Sequence, residues 1–453
     1  MRRMLRRPAI LALTTLASLG LVGVAPIRCP PGGDAWAKGE AATYEADVAF
    51  LLDECPKRAK ALLAAKGVDW AKATKELRAA AKKVKDDFEY VRLVERVLAR
   101  LQDGHAAIMS LAPDVEARVK TAREAEAKGR RWTGPRVHLL AVGKKVFVGE
   151  AFGEAATLGV KVGMEVVTVD KVAALDWMEK TAADSRDTQP FSTDRAALYA
   201  AGHGGLATWE GTPVSFVFLD GTERKSLTIT RNGGPNYAPS GPVFPPEGLQ
   251  AVGRQSYGKT AQGNGYIHLR DVADSLPQQL DTMLQALGDL PGLVLDCRAN
   301  GGGGCDHDAV FGRFLAAGAR WKKYVGQGSH LFAGPMVVIV DAGVRSAGET
   351  VAGMFKEDGR AYMIGPEATA GMSSQKETVE VPSKRLTVRV SVASNMGRFN
   401  GGRGIEGIGV PPTEVVPYDP ADLRKGIDSQ IRRAEELLAK GFPKGSVAYT
   451  PPK

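Results

Sequence analysis

Cysteine is scarce. The 453 residues hold four, and one of them, Cys29, lies in an N-terminal stretch that reads as an address rather than as structure. Cys55, Cys297 and Cys305 remain, an odd number, which excludes a disulfide framework as what holds the chain together. Dense basic runs are missing as well. The formal charge is +9, but five arginines and one aspartate sit in the first 37 residues, and without them the excess falls to +5. So mild and scattered a surplus gives nucleic-acid binding no support. Beyond residue 25 no apolar run reaches membrane length, and no internal repeat is visible. The 53 glycines and 26 prolines follow no collagen-like period, and 44% hydrophobic with 25% charged residues excludes intrinsic disorder. His138, His203, His268, His307 and His330 lack metal-ligand spacing. No Gly-Lys-Ser/Thr follows the glycine run 301–304, so a phosphate-binding loop is excluded. Neither metal nor cofactor is expected.

What is present suits two or three domains. Arg2, Arg3, Arg6 and Arg7 precede an uncharged apolar run over 9–25, the pattern of a secretory signal. Ala35-Trp36-Ala37 offers an A-x-A cleavage site. The same run is long enough for a short span, so an uncleaved anchor is the alternative. Residues 1–37 are therefore expected to be a signal peptide or membrane anchor. The protein is expected to be exported, periplasmic or extracellular, touching a membrane only through such an anchor.

Residues 38–132 read as a helical segment: Phe88, Val91, Val94, Val97, Leu98 and Leu101 recur at three and four, one apolar helix face. That helix runs into Asp103-Gly104-His105. Over 133–232 the texture becomes short β runs (VHLLAV, KVFVGEA, EVVTVD, VSFVFL, SLTITR) separated by turn signals such as Asp220-Gly221, with 176–208 resembling an insertion. Proline and glycine crowd 233–249, a linker. From 250 to 453 apolar strands alternate with helical patterns and end in a charged helix near 421–439, which argues for a parallel or mixed α/β sheet.

The chemistry falls at the ends of two buried strands. Leu293-Val294-Leu295-Asp296-Cys297-Arg298-Ala299-Asn300 runs into four glycines, which is either a flexible turn or an anion cradle of exposed N–H groups. Met336-Val337-Val338-Ile339-Val340-Asp341 leads to Ser346-Ala347-Gly348-Glu349, where strand gives way to helix. Alone, Ser346 reads as a helix N-cap. A nucleophile there would gain nearby N–H groups for a developing oxyanion.

LVLDCRANGGG followed by VVIVDAGVRSAGE resembles the tail-specific (C-terminal processing) and tricorn-type serine peptidase superfamily, whose strands end in D-x-R-x-N-x-G-G and lead to a nucleophilic serine in S-A-x-E. Gly359-Arg360-Ala361, Ile364-Gly365 and the closing run from Gly404 to Pro412 fit the same order, with Thr413 where Asp usually stands. The likeness covers most of 260–417. It implies an α/β fold with a ClpP/crotonase-like core. Residues 133–232 resemble the PDZ domain such peptidases often carry, with Met164 replacing the usual Asp. The chain departs from the pattern at Thr369-Ala370-Gly371-Met372, where tail-specific members have T-x-G-K, and a thioether cannot accept a serine proton. Tricorn-type relatives use a histidine from an N-terminal helical segment and a glutamate near the closing motif, and His105 and Glu406 match them.

The resemblance thus implies Ser346 as nucleophile, His105 as base and Glu406 as the residue orienting the imidazole. The backbone N–H groups of Gly302 and Ala347 would form the oxyanion hole. Gly104 stands where tricorn has a polar residue. The implied function is an exported serine endopeptidase acting on polypeptides, with oligomerisation left open. The alternatives are a pseudo-peptidase keeping the fold for peptide binding, with Met372 as its mark, and a crotonase-like acyl-CoA enzyme. The last does not need a serine at the second strand end, and an exported protein would not meet CoA.

Overall fold

The computed structural model describes residues 38–232, 241–395 and 397–451. The expected leader, with Cys29 and Ala35-Trp36-Ala37, and residues 233–240 of the expected linker lie outside the described residues.

Four helices open the chain: Lys38–Arg58, Lys60–Lys66, Trp70–Ala81 and Asp87–Ala99. Aspartates cap two of them, Asp69 accepting from the Lys72 N–H at 3.0 Å and Asp86 from the Glu89 N–H at 2.7 Å. Val91, Val94, Val97, Leu98 and Leu101 are buried, as their spacing requires, and Phe88 is half-buried. These helices do not close a core alone. Val379, Val381, Leu386, Val388 and Val390, from a hairpin far along the sequence, fill the same cluster. That hairpin (Ser374–Glu380 with Leu386–Ser394) takes strand Ala107–Leu111 as a third, antiparallel member, pairing Ala107 with Arg389 and Leu111 with Leu386. The residues just after His105 are thereby held in register against the C-terminal half of the chain. Packing thus joins residues 374–394 to the N-terminal helices as well as to the rest of 250–453.

Residues 137–230 hold an antiparallel sheet with a core cluster of its own. Strands Val137–Val142, Lys145–Ala151, Glu165–Val169, Pro213–Asp220 and Glu223–Thr230 make an antiparallel sheet in that order. Helix Ala174–Ser185 runs into the stretch read as an insertion, and helix Asp194–Gly204 lies within it.

A seven-stranded sheet follows. An antiparallel pair (Gln250–Val252, Gln255–Lys259) leads into parallel strands Gly265–His268, Leu293–Asp296, Met336–Ile339, Tyr362–Gly365 and Glu414–Val415. Alternation divides the parallel strands' side chains. Leu293, Leu295, Met336 and Val338 meet helices Leu276–Leu287 and Ala347–Glu357, whereas Val294, Val337 and Ile339 meet helix Ser429–Lys440. Both faces are covered, which is why these strands read as unbroken apolar runs. The architecture is the expected α/β core.

Arg298 pins the end of one central strand. It is fully buried, pairs with Asp296 at 2.6 Å and Asp428 at 2.8 Å, and also reaches the Tyr418 hydroxyl and Gln430. Removing one partner of such a buried network costs roughly 3–5 kcal/mol. Arg298 therefore locks the strand end to the N-terminus of the last helix, and the glycine loop departs from a fixed point.

Candidate active site

Ser346 follows strand Met336–Ile339 and precedes helix Ala347–Glu357. Its backbone has φ 57° and ψ −129°, a region costly to a residue with a Cβ. An N-cap serine is ordinarily extended, so this is a sharp strand-to-helix turn of the kind that lifts a hydroxyl out of the chain. The turn is clamped from two sides. The Ser346 N–H donates to the Met372 carbonyl at 2.9 Å and to Glu349 Oε2 at 3.2 Å. Glu349 is fully buried and accepts from the Thr369 hydroxyl at 2.5 Å and the N–H groups of Gly371 and Met372 at 2.7 and 2.8 Å. Burial raises its pKa to about 7. The glutamate of S-A-G-E thus ties the 369–372 segment to the serine turn.

His105 arrives from the N-terminal half. Its N–H donates to Asp103 Oδ1 at 2.9 Å, and its carbonyl accepts from Arg389 Nε at 2.8 Å. Its ring is 3.2 Å from Ser346 Oγ through Nε2 and 3.1 Å from Ser374 Oγ through Nδ1. With the proton on Nδ1 and donated to Ser374, Nε2 is free to accept from Ser346, the tautomer a base requires. Ser374 in turn lies 2.5 Å from Ser391 Oγ. Burial first, then the Lys376 ammonium, lower the His105 pKa to about 4.

Glu406 requires a correction. It does not hydrogen-bond His105. Its Oε1 accepts from Lys66 Nζ at 2.8 Å and from the Ser192 hydroxyl at 2.7 Å, and Ser192 Oγ accepts from the Gly104 N–H at 2.8 Å. The carboxylate therefore braces the Asp103-Gly104-His105 turn from behind, and the direct partner of Nδ1 is a hydroxyl. Glu406 Oε2 is buried without a hydrogen bond among the described residues. Burial pushes its pKa up to about 7, against the opposing pull of Lys66. Asp103, His105 and Glu406 each offer one ligand atom within 4.8 Å of the others. Lys66 already balances the glutamate and both ring nitrogens are engaged, so this trio reads as the back of the base rather than a metal centre.

The oxyanion pair also changes. Gly302 abuts the serine, since a Cβ placed on it would lie 2.7 Å from Ser346 Cβ. Its own N–H, however, donates to Asn300 Oδ1 at 2.9 Å inside the loop turn. Among the described residues nothing accepts from the N–H groups of Ala347 and Gly303, so the uncommitted donors are these two.

Met372, which departs from the tail-specific pattern, and Gly104, which departs from the tricorn one, are neighbours in space. A Cβ on Gly104 would meet Met372 Sδ at 2.7 Å and Cγ at 2.8 Å. Met372 occupies the space beside the 103–105 turn, so a side chain at 104 would require the methionine to move.

Ser374, Ser391, Asp103, Lys66 and Ser192 were not singled out by the sequence. Asp103 had a signal in its adjacency to His105, but the hydroxyls become visible only through strand register and the insertion helices. Ser374→Ala should lower kcat roughly 10- to 100-fold, the scale of a buried N–H left without an acceptor, with KM little changed. Ser374→Thr, which keeps the hydroxyl, should recover most of it. Wild-type kcat in the alanine variant would remove Ser374 from imidazole orientation.

Residues 263–416 match the family described as Peptidase family S41. A carboxyl-terminal-processing protease of Picosynechococcus sp. is 27% identical over 198 residues, 40% of this chain and 47% of that protein. The chain thus matches about half the length of this curated relative. Among solved structures, mature CPAF superposes with a TM-score of 0.65 at 12% identity, covering 90% of this chain and 99% of that one. CPAF complexed with lactacystin gives 0.64 at 12% identity, covering 88% and 98%. At such identity the likeness is one of fold. Residues 263–416 are a peptidase family S41 domain, within the serine-type peptidase superfamily that the strand-end motifs resemble.

Proposed function

We propose that this chain is an exported serine endopeptidase that hydrolyses peptide bonds of polypeptides. One observation carries the reading: Ser346 Oγ, on a strained turn, lies 3.2 Å from the Nε2 of a buried histidine whose other nitrogen is already engaged. Ser346 attacks the carbonyl while Nε2 takes its proton. The imidazolium then returns that proton to the leaving amine, and water repeats the cycle on the acyl-enzyme. Asp103 supplies the nearby negative charge that favours the imidazolium, and Ala347 and Gly303 N–H groups serve the oxyanion. Glu406, with Lys66 and Ser192, is a positioning residue for the 103–105 turn. Export rests on the basic and apolar pattern over 1–25.

A fluorophosphonate probe tests the reading. Covalent labelling that maps to Ser346 is expected, together with cleavage of unfolded protein. Absence of both would leave the pseudo-peptidase reading that Met372 suggests.

The 133–232 block is proposed as a PDZ-like domain that captures extended polypeptide by strand addition. Without it, cleavage of long substrates should weaken or lose regulation while short activated peptides still acylate Ser346. Because Met164 replaces the usual Asp, peptides with free and amidated C-termini should bind within a few-fold of each other. A strong preference for the free carboxylate would overturn that expectation, and equal turnover of long substrates without the block would remove its role.

A further inference from the structure

Three cations near the nucleophile have no carboxylate of their own. Arg345 immediately precedes Ser346; its backbone N–H donates to the Asn300 carbonyl, but its half-buried guanidinium pairs with nothing among the described residues. Arg389 spends Nε on the His105 carbonyl, leaving its remaining N–H donors without acceptors there. Lys376 is exposed on strand Ser374–Glu380, cross-strand from Ser391, and forms no ion pair among the described residues. The positive charge of all three bears on the His105 ring.

The acidic groups close by cannot neutralise them. Asp103 is buried, its two oxygens accepting from the His105 and Ser391 N–H groups. Glu406 is committed to Lys66 and Ser192, and Glu349 to the serine turn. Asp103 also bears on the ring, but its oxygens are committed to backbone N–H groups, so the charges left unpaired around the site are positive. Such a field favours an anionic ligand.

We infer that the Arg345–Lys376–Arg389 cluster is a substrate subsite for a carboxylate close to the scissile bond, so that acidic polypeptide segments are cleaved in preference to neutral or basic ones. This rests on the peptidase reading above. The carboxylate is that of an Asp or Glu side chain, and a chain end is the other source, which the test separates. Its binding would also offset the cations that disfavour the imidazolium, coupling recognition to proton transfer.

The test uses the full chain and unfolded β-casein, with cleavage sites sequenced. The best-cleaved segment is then made as peptides in which each acidic residue within three positions of the scissile bond becomes its amide, with the C-terminus free or amidated. A kcat/KM ratio of roughly 10 for the acid over the amide is expected, shrinking as salt screens the pairs. In Lys376→Glu the ratio should fall to about 1 or invert. The ratio is the readout, because this change also acts on His105. Loss on side-chain amidation supports the inference, whereas loss on C-terminal amidation alone would place the carboxylate at a chain end and overturn the preference for acidic segments. A wild-type ratio near 1, or one unchanged in both Lys376→Glu and Arg345→Gln, overturns it while probe labelling of Ser346 still upholds the peptidase reading. Neither labelling nor casein cleavage would overturn both.

Discussion

Ser346→Ala is expected to abolish fluorophosphonate labelling and to lower peptide hydrolysis on the order of 10⁵- to 10⁶-fold, the scale for deleting a nucleophile that acts as one unit with its base. The fold should survive. The hydroxyl meets His105 Nε2, while the clamps on the turn run through the Ser346 N–H to Met372 and Glu349, which alanine keeps. Alanine also keeps the Cβ that Gly302 packs against. Thermal unfolding within a few degrees of wild type should therefore accompany the loss. The remaining activity should resemble binding and oxyanion stabilisation acting on water alone. Hydrolysis at the wild-type rate would show that another group attacks the carbonyl.

The proposed nucleophile and base stood out in the sequence because each sits in a local motif at the end of a strongly periodic element. Ser346 follows a buried strand, and His105 follows a helix whose apolar face repeats at three and four. The support behind them did not stand out. Ser374 reaches His105 through a strand whose register is shifted by a bulge between Gln375 and Lys376, and no single-strand pattern encodes such a shift. Ser192 lies in the stretch read as an insertion and Lys66 on a short helix, yet both converge on Glu406. A glutamate matched to a family position was thus assigned the role that position usually has. The hydroxyl of Ser374 takes the imidazole instead, and Glu406 props the turn that carries it.

The same distant pairing hid how segments far apart in the chain share a core. The valines of 379–390 lie in the C-terminal half of the sequence, but they fill the cluster under the N-terminal helices. Gly104 and Met372 likewise looked like two separate departures from the superfamily pattern. In the fold they are neighbours, and Met372 fills the space that a side chain at 104 would need.

His105→Ala should cost hydrolysis several orders of magnitude, as loss of the base in a serine–histidine pair does, and Met372→Lys should not restore it, since a side chain grown against Gly104 has no defined path to Ser346. The wild-type pH profile gives the sharper check. The base works as neutral imidazole, and burial followed by Lys376 lowers its pKa to about 4. A lowered pKa leaves the neutral form dominant above that value, so the acid limb should fall near pH 4 with no step at the ordinary histidine value of about 6.5. Lys376→Gln removes a cation from the ring and should move the limb upward. Glu406, raised to about 7 by burial, gains its charge as pH rises through that range. A further, smaller increase there is expected, and Glu406→Gln should erase it while leaving the acid limb in place. Stability runs in the same direction for His105. Between about 6.5 and 4 the unfolded chain takes up the imidazole proton before the native one does, so the fold weakens as pH falls through that window. The acid limb must therefore be read as initial rates, with full activity regained on return to pH 7. A recoverable inflection at 6.5 that Lys376→Gln leaves in place would show a solvated imidazole outside this site and would remove His105 from proton transfer.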